Sequence, residues 1–224
     1  MDQARPNPDR DRRSLSLREQ LARIAPARPV EILGPELVRT SRLELRPLLE
    51  NDRASFLEAL SHSREELTRY YDLWKPEDRD EDVFQRQLAL CRAGSATGKA
   101  WRRGAFTPAG DFVGCFNLCN IEHGFEETAE AGWWIRSDVG RLGLGREGVS
   151  ALIQFALDNG HGGLGLTRVT ALIHAQNTAS LRVAEHAGMT HAANETASVL
   201  LNGHWVPHVV YTRSASPQGG MLAG

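Results

Sequence analysis

The amino-acid sequence predicts an α/β or α+β domain on a mixed sheet, antiparallel early in the chain and of β-α-β type late. The strand and helix patterns follow one another in the approximate order β-α-α-β-β-β-α-β-α-β. Two early strand patterns flank a Pro-Ala-Gly-Asp turn, which favours an antiparallel hairpin. Later strand patterns alternate with helical ones, which favours crossover connections.

The chain has 224 residues, enough for one domain with a sizeable core. We predict a partly disordered N-terminal extension over 1–35, one catalytic domain over 36–214 and a loose tail over 215–224. Residues 1–13 are polar and carry little to bury. Residues 14–25 have helical spacing and are expected to form a docking or dimer helix.

The first half of the domain begins with a strand, because Leu43 and Leu45 alternate with charged residues. A helix is predicted over 50–71, with Asp52 as its N-terminal cap. An acidic loop, 75–82, precedes a second helix. The apolar positions of that second helix are Val83, Phe84, Leu88 and Leu90.

The second half contains the most informative stretch. A strand over 129–138 leads into Gly143-x-Gly145-x-x-Gly148 and a helix predicted to end at Gly160. A further strand, a helix closed by Gly188 and a final strand over 204–214 complete the domain.

Glycines before a helix favour an anionic ligand, because the first helical N–H groups have no internal partner and the helix dipole attracts negative charge. NAD, a nucleoside triphosphate and coenzyme A all carry a pyrophosphate. A P-loop is disfavoured because no Gly-Lys-Ser/Thr follows. A dinucleotide fold is disfavoured because the next strand ends in "LIHAQN", without the carboxylate that would hold a ribose.

Composition excludes several classes. The formal net charge of −2 gives no basic field for nucleic acid, and no apolar run approaches the length of a membrane span. Three cysteines without a Cys-x-x-Cys pair and no visible signal peptide indicate a cytoplasmic protein. The eight histidines show no ligand spacing, so no metal site is expected.

Four stretches, in order, resemble the GNAT superfamily of acetyl-CoA-dependent N-acetyltransferases, in particular its RimJ/RimL (ribosomal-protein-alanine acetyltransferase) branch. They are "TSRLELRPLLENDRASFLEAL", "GDFVGCFNLCNI", "AEAGWWIRSDVGRLGLGREGVSALIQFAL" and "LTRVTALIHAQNTASLRVAEHAGM". The resemblance covers about 36–214 and implies a mostly antiparallel sheet, splayed in the middle and flanked by helices.

The resemblance also implies acetyl-CoA as cosubstrate and a direct transfer to an amine. The expected CoA-binding residues are Trp134, Ile135, Arg136, Arg141, Leu142, Gly143, Leu144, Gly145, Arg146, Asn177 and Ser180. One of Trp133 and Trp134 is expected to face the core and the other the cleft. Glu130 is the expected base, Ser180 the donor to the departing sulfur and Tyr211 an alternative acid.

The chain departs from the family pattern at three places. Gly140 stands where the loop usually has its leading basic residue, with Arg141 one place later, Met189 replaces a usual Phe, and His208 stands where an acidic residue is frequent. A protein N-terminal amine is the leading acceptor, which the acidity of 75–82 would attract. A small-molecule amine and a non-catalytic acyl-CoA-binding module remain alternatives. A monomer and a homodimer are both compatible with the sequence.

Overall fold

A computed structural model describes residues 16–24, 30–32, 36–160 and 162–216. The stretch predicted to be disordered, 1–13, and most of the predicted tail lie outside the described residues.

Among the described residues, nine strands form one sheet and five α-helices cover it. The strands are β1 (Glu31–Ile32), β2 (Val38–Arg39), β3 (Glu44–Arg46), β4 (Trp101–Phe106), β5 (Phe112–Glu122), β6 (Thr128–Ile135), β7 (Arg168–His174), β8 (Thr190–Leu201) and β9 (His204–Ser214). The helices are α1 (Leu17–Arg23), α2 (Arg53–Tyr70), α3 (Asp80–Thr97), α4 (Leu144–Leu157) and α5 (Thr178–His186).

The sheet confirms the predicted mixed and mostly antiparallel class. Its strand order is β1-β2-β3-β4-β5-β6-β7-β9-β8, and β6–β7 is the one parallel pair among the described strands. That pair is hydrogen-bonded only where Thr128–Glu130 faces Arg168–Thr170. Because β6 runs on to Ile135 and β7 to His174, the two strands splay apart beyond Glu130.

Two hydrophobic cores lie on the two faces of the sheet. One core holds the buried faces of α4 and α5 and includes Trp133. The other holds the buried faces of α2 and α3 and includes Trp134. The two tryptophans point oppositely, as expected for neighbours on a strand. The expected division into one core and one cleft tryptophan is wrong, because both are at least nine-tenths buried.

The predicted N-terminal helix is confirmed as α1. Ser16 and Glu19 form a capping box at its start, and Leu21 is buried in the α4–α5 core. Arg18 donates to the carbonyl oxygens of Asp138 and Gly140, so the helix docks beside the glycine turn of its own chain.

Three local expectations were wrong. The Asp52 side chain makes no cap hydrogen bond to α2, because it pairs with Arg46 and accepts from the Leu49 N–H. Leu90 is exposed, and α4 ends at Leu157 before reaching Gly160.

The sequence order also omitted β8. This strand lies at the outer edge of the sheet, and most of its residues are exposed on both faces, so it lacks the apolar alternation that marks a half-buried strand. None of the described helices combines the length and apolar character needed to cross a membrane.

Candidate active site

The glycine turn forms the end of a groove of about 740 Å³, within the size range of small-molecule sites. Gly143 precedes α4 with a φ of 82°, a left-handed conformation that glycine adopts without steric cost. Arg141 also has a positive φ, 67°, which is unfavourable for a residue with a Cβ. The turn therefore aims the free N–H groups of the first turn of α4 into the groove.

The third glycine of the pattern has a packing role. A Cβ on Gly148 would lie 2.2 Å from Cζ of the buried Phe116 ring on β5. Glycine at this position lets α4 approach the sheet closely, and it fixes where the turn lies over the splay.

A buried ion pair supports the turn from behind. Glu147, on the first turn of α4, accepts hydrogen bonds from the Thr40 hydroxyl and from the backbone and side chain of Arg42. Arg42 also donates to the Leu142 carbonyl oxygen, at 2.9 Å. The side chains of Arg42 and Glu147 are 7% and 13% exposed, so the pair belongs to the interior. It ties the turn to the strand at the start of the domain.

The rim of the groove is positively charged. Arg141, Arg146 and Arg182 line it, all three are exposed, and none forms an ion pair within the described part of the chain. Arg136 is different. Its guanidinium is almost fully buried and pairs with Asp138 and Glu58, so it can offer the groove only its backbone. Arg136 thus stays a predicted CoA-binding residue through its backbone groups alone.

A second, smaller cavity of about 50 Å³ lies between the separated ends of β6 and β7. Both cavities are lined by Tyr71, Trp133 and Ser180, so these residues mark the place where the cavities meet. The Tyr71 hydroxyl donates to the Trp133 carbonyl oxygen, and the Ser180 side chain lies beside it. Desolvation raises the pKa of Tyr71 well above its usual value, so its phenol stays protonated at neutral pH.

Asn177 and Ser180 open helix α5 at this junction. The Asn177 Oδ1 accepts from the Ser180 N–H at 3.1 Å, which makes Asn177 an N-cap. The Nδ2 group of Asn177 makes no hydrogen bond to any described residue, and the side chain lines the small cavity. It is available to a ligand.

The other two predicted catalytic residues lie elsewhere. Glu130 is exposed on β6 and lines neither cavity. Tyr211 faces the α5 side of the sheet, where its hydroxyl donates to Glu185 at 3.1 Å, and it too lines neither cavity. The structure thus brings Ser180 to the junction and places Glu130 and Tyr211 outside it.

A histidine pair closes the small cavity. His174 and His208 are paired residues of β7 and β9, with ring centroids 5.5 Å apart, and both line the cavity. Tyr70, at the end of α2, lies 5.4 Å from the His174 ring. Desolvation lowers the pKa of His174, and the neighbouring His208 lowers it further.

A sequence model of the acetyltransferase (GNAT) domain matches residues 42–190, which include the glycine turn, the splay and Ser180. The chain belongs to the GNAT acetyltransferase family. It is accordingly an N-acetyltransferase that uses acetyl-CoA, and the resemblance stated from the sequence is confirmed. Comparison with curated protein sequences gives no match.

Several solved GNAT structures are similar in fold. RimJ from Mycobacterium smegmatis, in complex with a CoA disulfide, is 20% identical over 79% of this chain and 84% of that one, with a TM-score of 0.67. RimL, a ribosomal α-N-protein acetyltransferase in complex with coenzyme A, is 18% identical over 80% and 98%, with a TM-score of 0.67. The microcin C7 self-immunity acetyltransferase MccE, in complex with acetyl-CoA and AMP, is 16% identical over 77% and 92%, with a TM-score of 0.64.

The acidic segment of this GNAT domain is neutralised internally. Four of its carboxylates form ion pairs, in the pairs Asp78–Arg86, Asp80–Arg64, Glu81–Arg53 and Asp82–Arg79. The expectation that its acidity attracts a basic acceptor therefore loses its physical basis for these four groups.

Sequence reasoning missed several residues of the site: Tyr71, Arg42, Glu147, Arg182 and the pairing of His174 with His208. Tyr71 reaches the junction from the segment between α2 and α3, and no local pattern marks it. Arg182 could have been predicted from the sequence, because it lies two positions after Ser180 on the first turns of α5.

Proposed function

We propose that this enzyme transfers the acetyl group of acetyl-CoA to the N-terminal amine of a protein, with donor and acceptor meeting at the splay between β6 and β7. The observation that carries the proposal is the pair of cavities that share Tyr71, Trp133 and Ser180. The large groove ends at a helix N-terminus suited to a pyrophosphate. The small cavity meets the groove at the same junction.

The donor is held mainly by backbone. The N–H groups of 141–146 hold the pyrophosphate, and Arg141, Arg146 and Arg182 add charge at the rim. The pantetheine arm lies along Trp134 and Ile135, whose side of β6 has no strand partner beyond Glu130. Such unpaired backbone groups bind an amide-containing arm as a strand would.

An unsatisfied donor supports ligand binding at the junction. Trp133 is 7% exposed, and its Nε1–H group has no hydrogen-bond partner among the described residues. Buried polar groups normally have one, so the indole N–H and the free Nδ2 of Asn177 fit a ligand that supplies acceptor oxygens. The pantetheine arm and the acetyl carbonyl are such acceptors.

The size of the small cavity favours a chain end as acceptor. The small cavity measures about 50 Å³, whereas the donor groove measures about 740 Å³, so only a narrow end of an acceptor enters it. The rest of the acceptor then lies outside on the surface. A polypeptide N-terminus has that shape, and the cytoplasmic location expected from the unpaired cysteines provides such substrates.

The chemistry is direct transfer. The amine nitrogen attacks the thioester carbon, the carbon–sulfur bond breaks and the sulfur takes a proton. Ser180 is placed to donate that proton, because it lies at the junction of the two cavities. Backbone N–H groups of the splayed strand polarise the acetyl oxygen.

Calorimetric titration tests the donor assignment. We expect acetyl-CoA to bind and NADPH, the control, not to bind. Mass spectrometry then tests the acceptor with peptides that begin with Ala or Ser, the same peptides with a blocked N-terminus, and small primary amines. Acetylation of the free peptides alone supports the proposal. Turnover of small amines alone identifies a small-molecule enzyme, and acetyl-CoA binding without any turnover identifies a non-catalytic module.

A further inference from the structure

The two cavity histidines are held in complementary tautomers by the backbone. The Nδ1 atom of His208 lies 2.9 Å from the Val206 carbonyl oxygen. A carbonyl oxygen only accepts, so Nδ1 carries the proton and the lone pair of the neutral ring is on Nε2. The Nδ1 atom of His174 accepts from the Gln176 N–H at 3.1 Å, so in this ring the proton is on Nε2.

We propose that His208 is the proton acceptor of acetyl transfer and that the Nε2–H of His174 orients the incoming amine. The inference rests on the proposed function, because it assigns roles to the acceptor side of that same site. His208 has a free Nε2 lone pair, since no described residue is hydrogen-bonded to that atom. An incoming amine needs a group that takes its proton, and its lone pair must stay free to attack the thioester carbon. His208 supplies the proton acceptor, and the Nε2–H of His174 can hold a carbonyl oxygen of the acceptor next to the amine, which orients the amine without binding its lone pair.

The surroundings of the pair suit these roles. The titratable groups that line the cavity with His208 are His174 from β7 and Tyr70 and Tyr71 from the end of α2. No carboxylate lines the cavity among the described residues, so no buried negative charge competes for the proton. The lowered pKa of His174 keeps that ring neutral at neutral pH, which avoids repulsion when His208 gains a proton.

The carboxylate expected to act as base does not line the small cavity. Glu130 is on the same face of the sheet as the histidines, but it faces Thr170, four residues before His174 on β7. That separation is about 13 Å at the rise of a strand. A general base must lie within hydrogen-bond reach of the proton that it takes, directly or through one water.

The proton balance of the step is complete. The amine nitrogen bonds to the acetyl carbon and gives one proton to the Nε2 atom of His208, while the carbon–sulfur bond breaks and the sulfur takes a proton from Ser180. His208 releases its proton to solvent, and solvent restores the Ser180 hydroxyl. The products are the N-acetylated amine and coenzyme A thiol, with no change in net protons.

The test measures kcat, the KM for each substrate and the pH profile, with acetyl-CoA and an Ala- or Ser-initiated peptide. We expect His208→Gln to lower kcat by about 100-fold, the usual contribution of a general base. The pH profile of the variant should lose the dependence that the wild-type enzyme owes to its proton acceptor. Acetyl-CoA affinity measured by calorimetry should not change, because His208 does not line the donor groove.

The matched control is His204→Gln, the same substitution on the same strand at an exposed position. It should keep wild-type kcat and pH profile. A rate for His208→Gln within threefold of wild type, or a loss in Glu130→Gln instead, overturns the proton-acceptor role and leaves the proposed function intact. A wild-type enzyme that binds acetyl-CoA but acetylates no amine overturns both. Circular dichroism and retained acetyl-CoA binding show that the His208 variant is folded.

Discussion

The donor and acceptor sides of the splay are built in different ways. The donor side is formed mainly by one stretch, 133–146, whose backbone N–H groups and glycines shape the groove between α2 and α5. The acceptor side is lined from five separate elements, and its titratable side chains come from three of them, with Tyr70 and Tyr71 at the end of α2, His174 on β7 and His208 on β9.

This difference decides what each side tolerates. A backbone site depends little on side-chain identity at the surface, so the shift of the basic residue from position 140 to Arg141 leaves the groove intact. It depends strongly on the packing that holds the backbone in place. A site formed by side chains depends most on the identity of those side chains. Changes on the donor side should therefore reduce stability and donor affinity, whereas changes on the acceptor side should reduce rate.

The largest effect on stability is expected for Arg42→Ala. This change leaves the buried Glu147 carboxylate without its guanidinium partner and frees the Leu142 carbonyl oxygen. Breaking a buried pair from one side costs about 3 kcal/mol. We expect a fall of that size in the free energy of unfolding, measured by urea denaturation, together with weaker acetyl-CoA binding.

Arg39→Ala is the matched control for this prediction. Arg39 pairs with Glu44 near the same place in the sheet, but the side chains are 42% and 28% exposed. An exposed pair of this kind contributes no more than about 1 kcal/mol. Equal losses for Arg39→Ala and Arg42→Ala would show that the ion pair behind the turn has no special role.

The next largest effect is expected for Gly148→Ala. The added methyl group would lie 2.2 Å from Cζ of Phe116, which is fully buried and has little room to move. Overpacking costs about 1–3 kcal/mol, and the better helix propensity of alanine returns up to about 1 kcal/mol. We expect a net loss of about 1–2 kcal/mol in thermal or urea denaturation.

Gly160→Ala gives the comparison, because its Cβ would meet nothing closer than 3.7 Å. The change should stay within about 0.5 kcal/mol of wild type. If Gly148→Ala is equally neutral, α4 does not rest on Phe116 as tightly as the structure indicates.

The contrast between a donor side built from backbone and an acceptor side built from side chains explains which parts of the site the sequence predicted. The glycine turn, the helix after it and the Asn177 cap follow from local spacing, because each is a backbone arrangement encoded within a few residues. His174 and His208 are 34 positions apart, and only the β7–β9 register brings them together. Glu130 was chosen for the right strand and the right face, but the register with β7 puts it short of the cavity.

The charge on the groove rim should contribute a smaller effect. We expect Arg182→Ala and Arg141→Ala each to weaken acetyl-CoA binding by about fivefold, or about 1 kcal/mol, since exposed charges are screened by solvent. The loss should shrink as salt is added, with kcat unchanged. Arg92→Ala, which removes an exposed arginine remote from the groove, should leave the calorimetric affinity unaltered. An affinity loss that persists at high salt would indicate a direct, desolvated contact.

The smallest effect on acceptor binding is expected for substitutions in the acidic segment, 75–82. Sequence composition had suggested that this segment attracts the acceptor. Hydrogen bonds from the Arg79 backbone and side chain lower the pKa of Asp82, so the carboxylate is charged at neutral pH and Asp82→Asn removes a full negative charge. That charge already faces the Arg79 guanidinium and adds little to the field felt by an approaching cation. The KM for a basic peptide acceptor should therefore change by less than twofold.

Glu77→Gln should be compared with Asp82→Asn, because it removes an unpaired charge from the same segment. Glu77 belongs to the same segment, is exposed and has no ion pair among the described residues, so it is the carboxylate whose field is not cancelled locally. If the segment attracts basic acceptors, Glu77→Gln should raise KM in a salt-dependent way while Asp82→Asn does not. If both variants raise KM equally, ion pairing does not neutralise the segment. In that case the acidic composition, rather than the shape and tautomers of the small cavity, selects the acceptor.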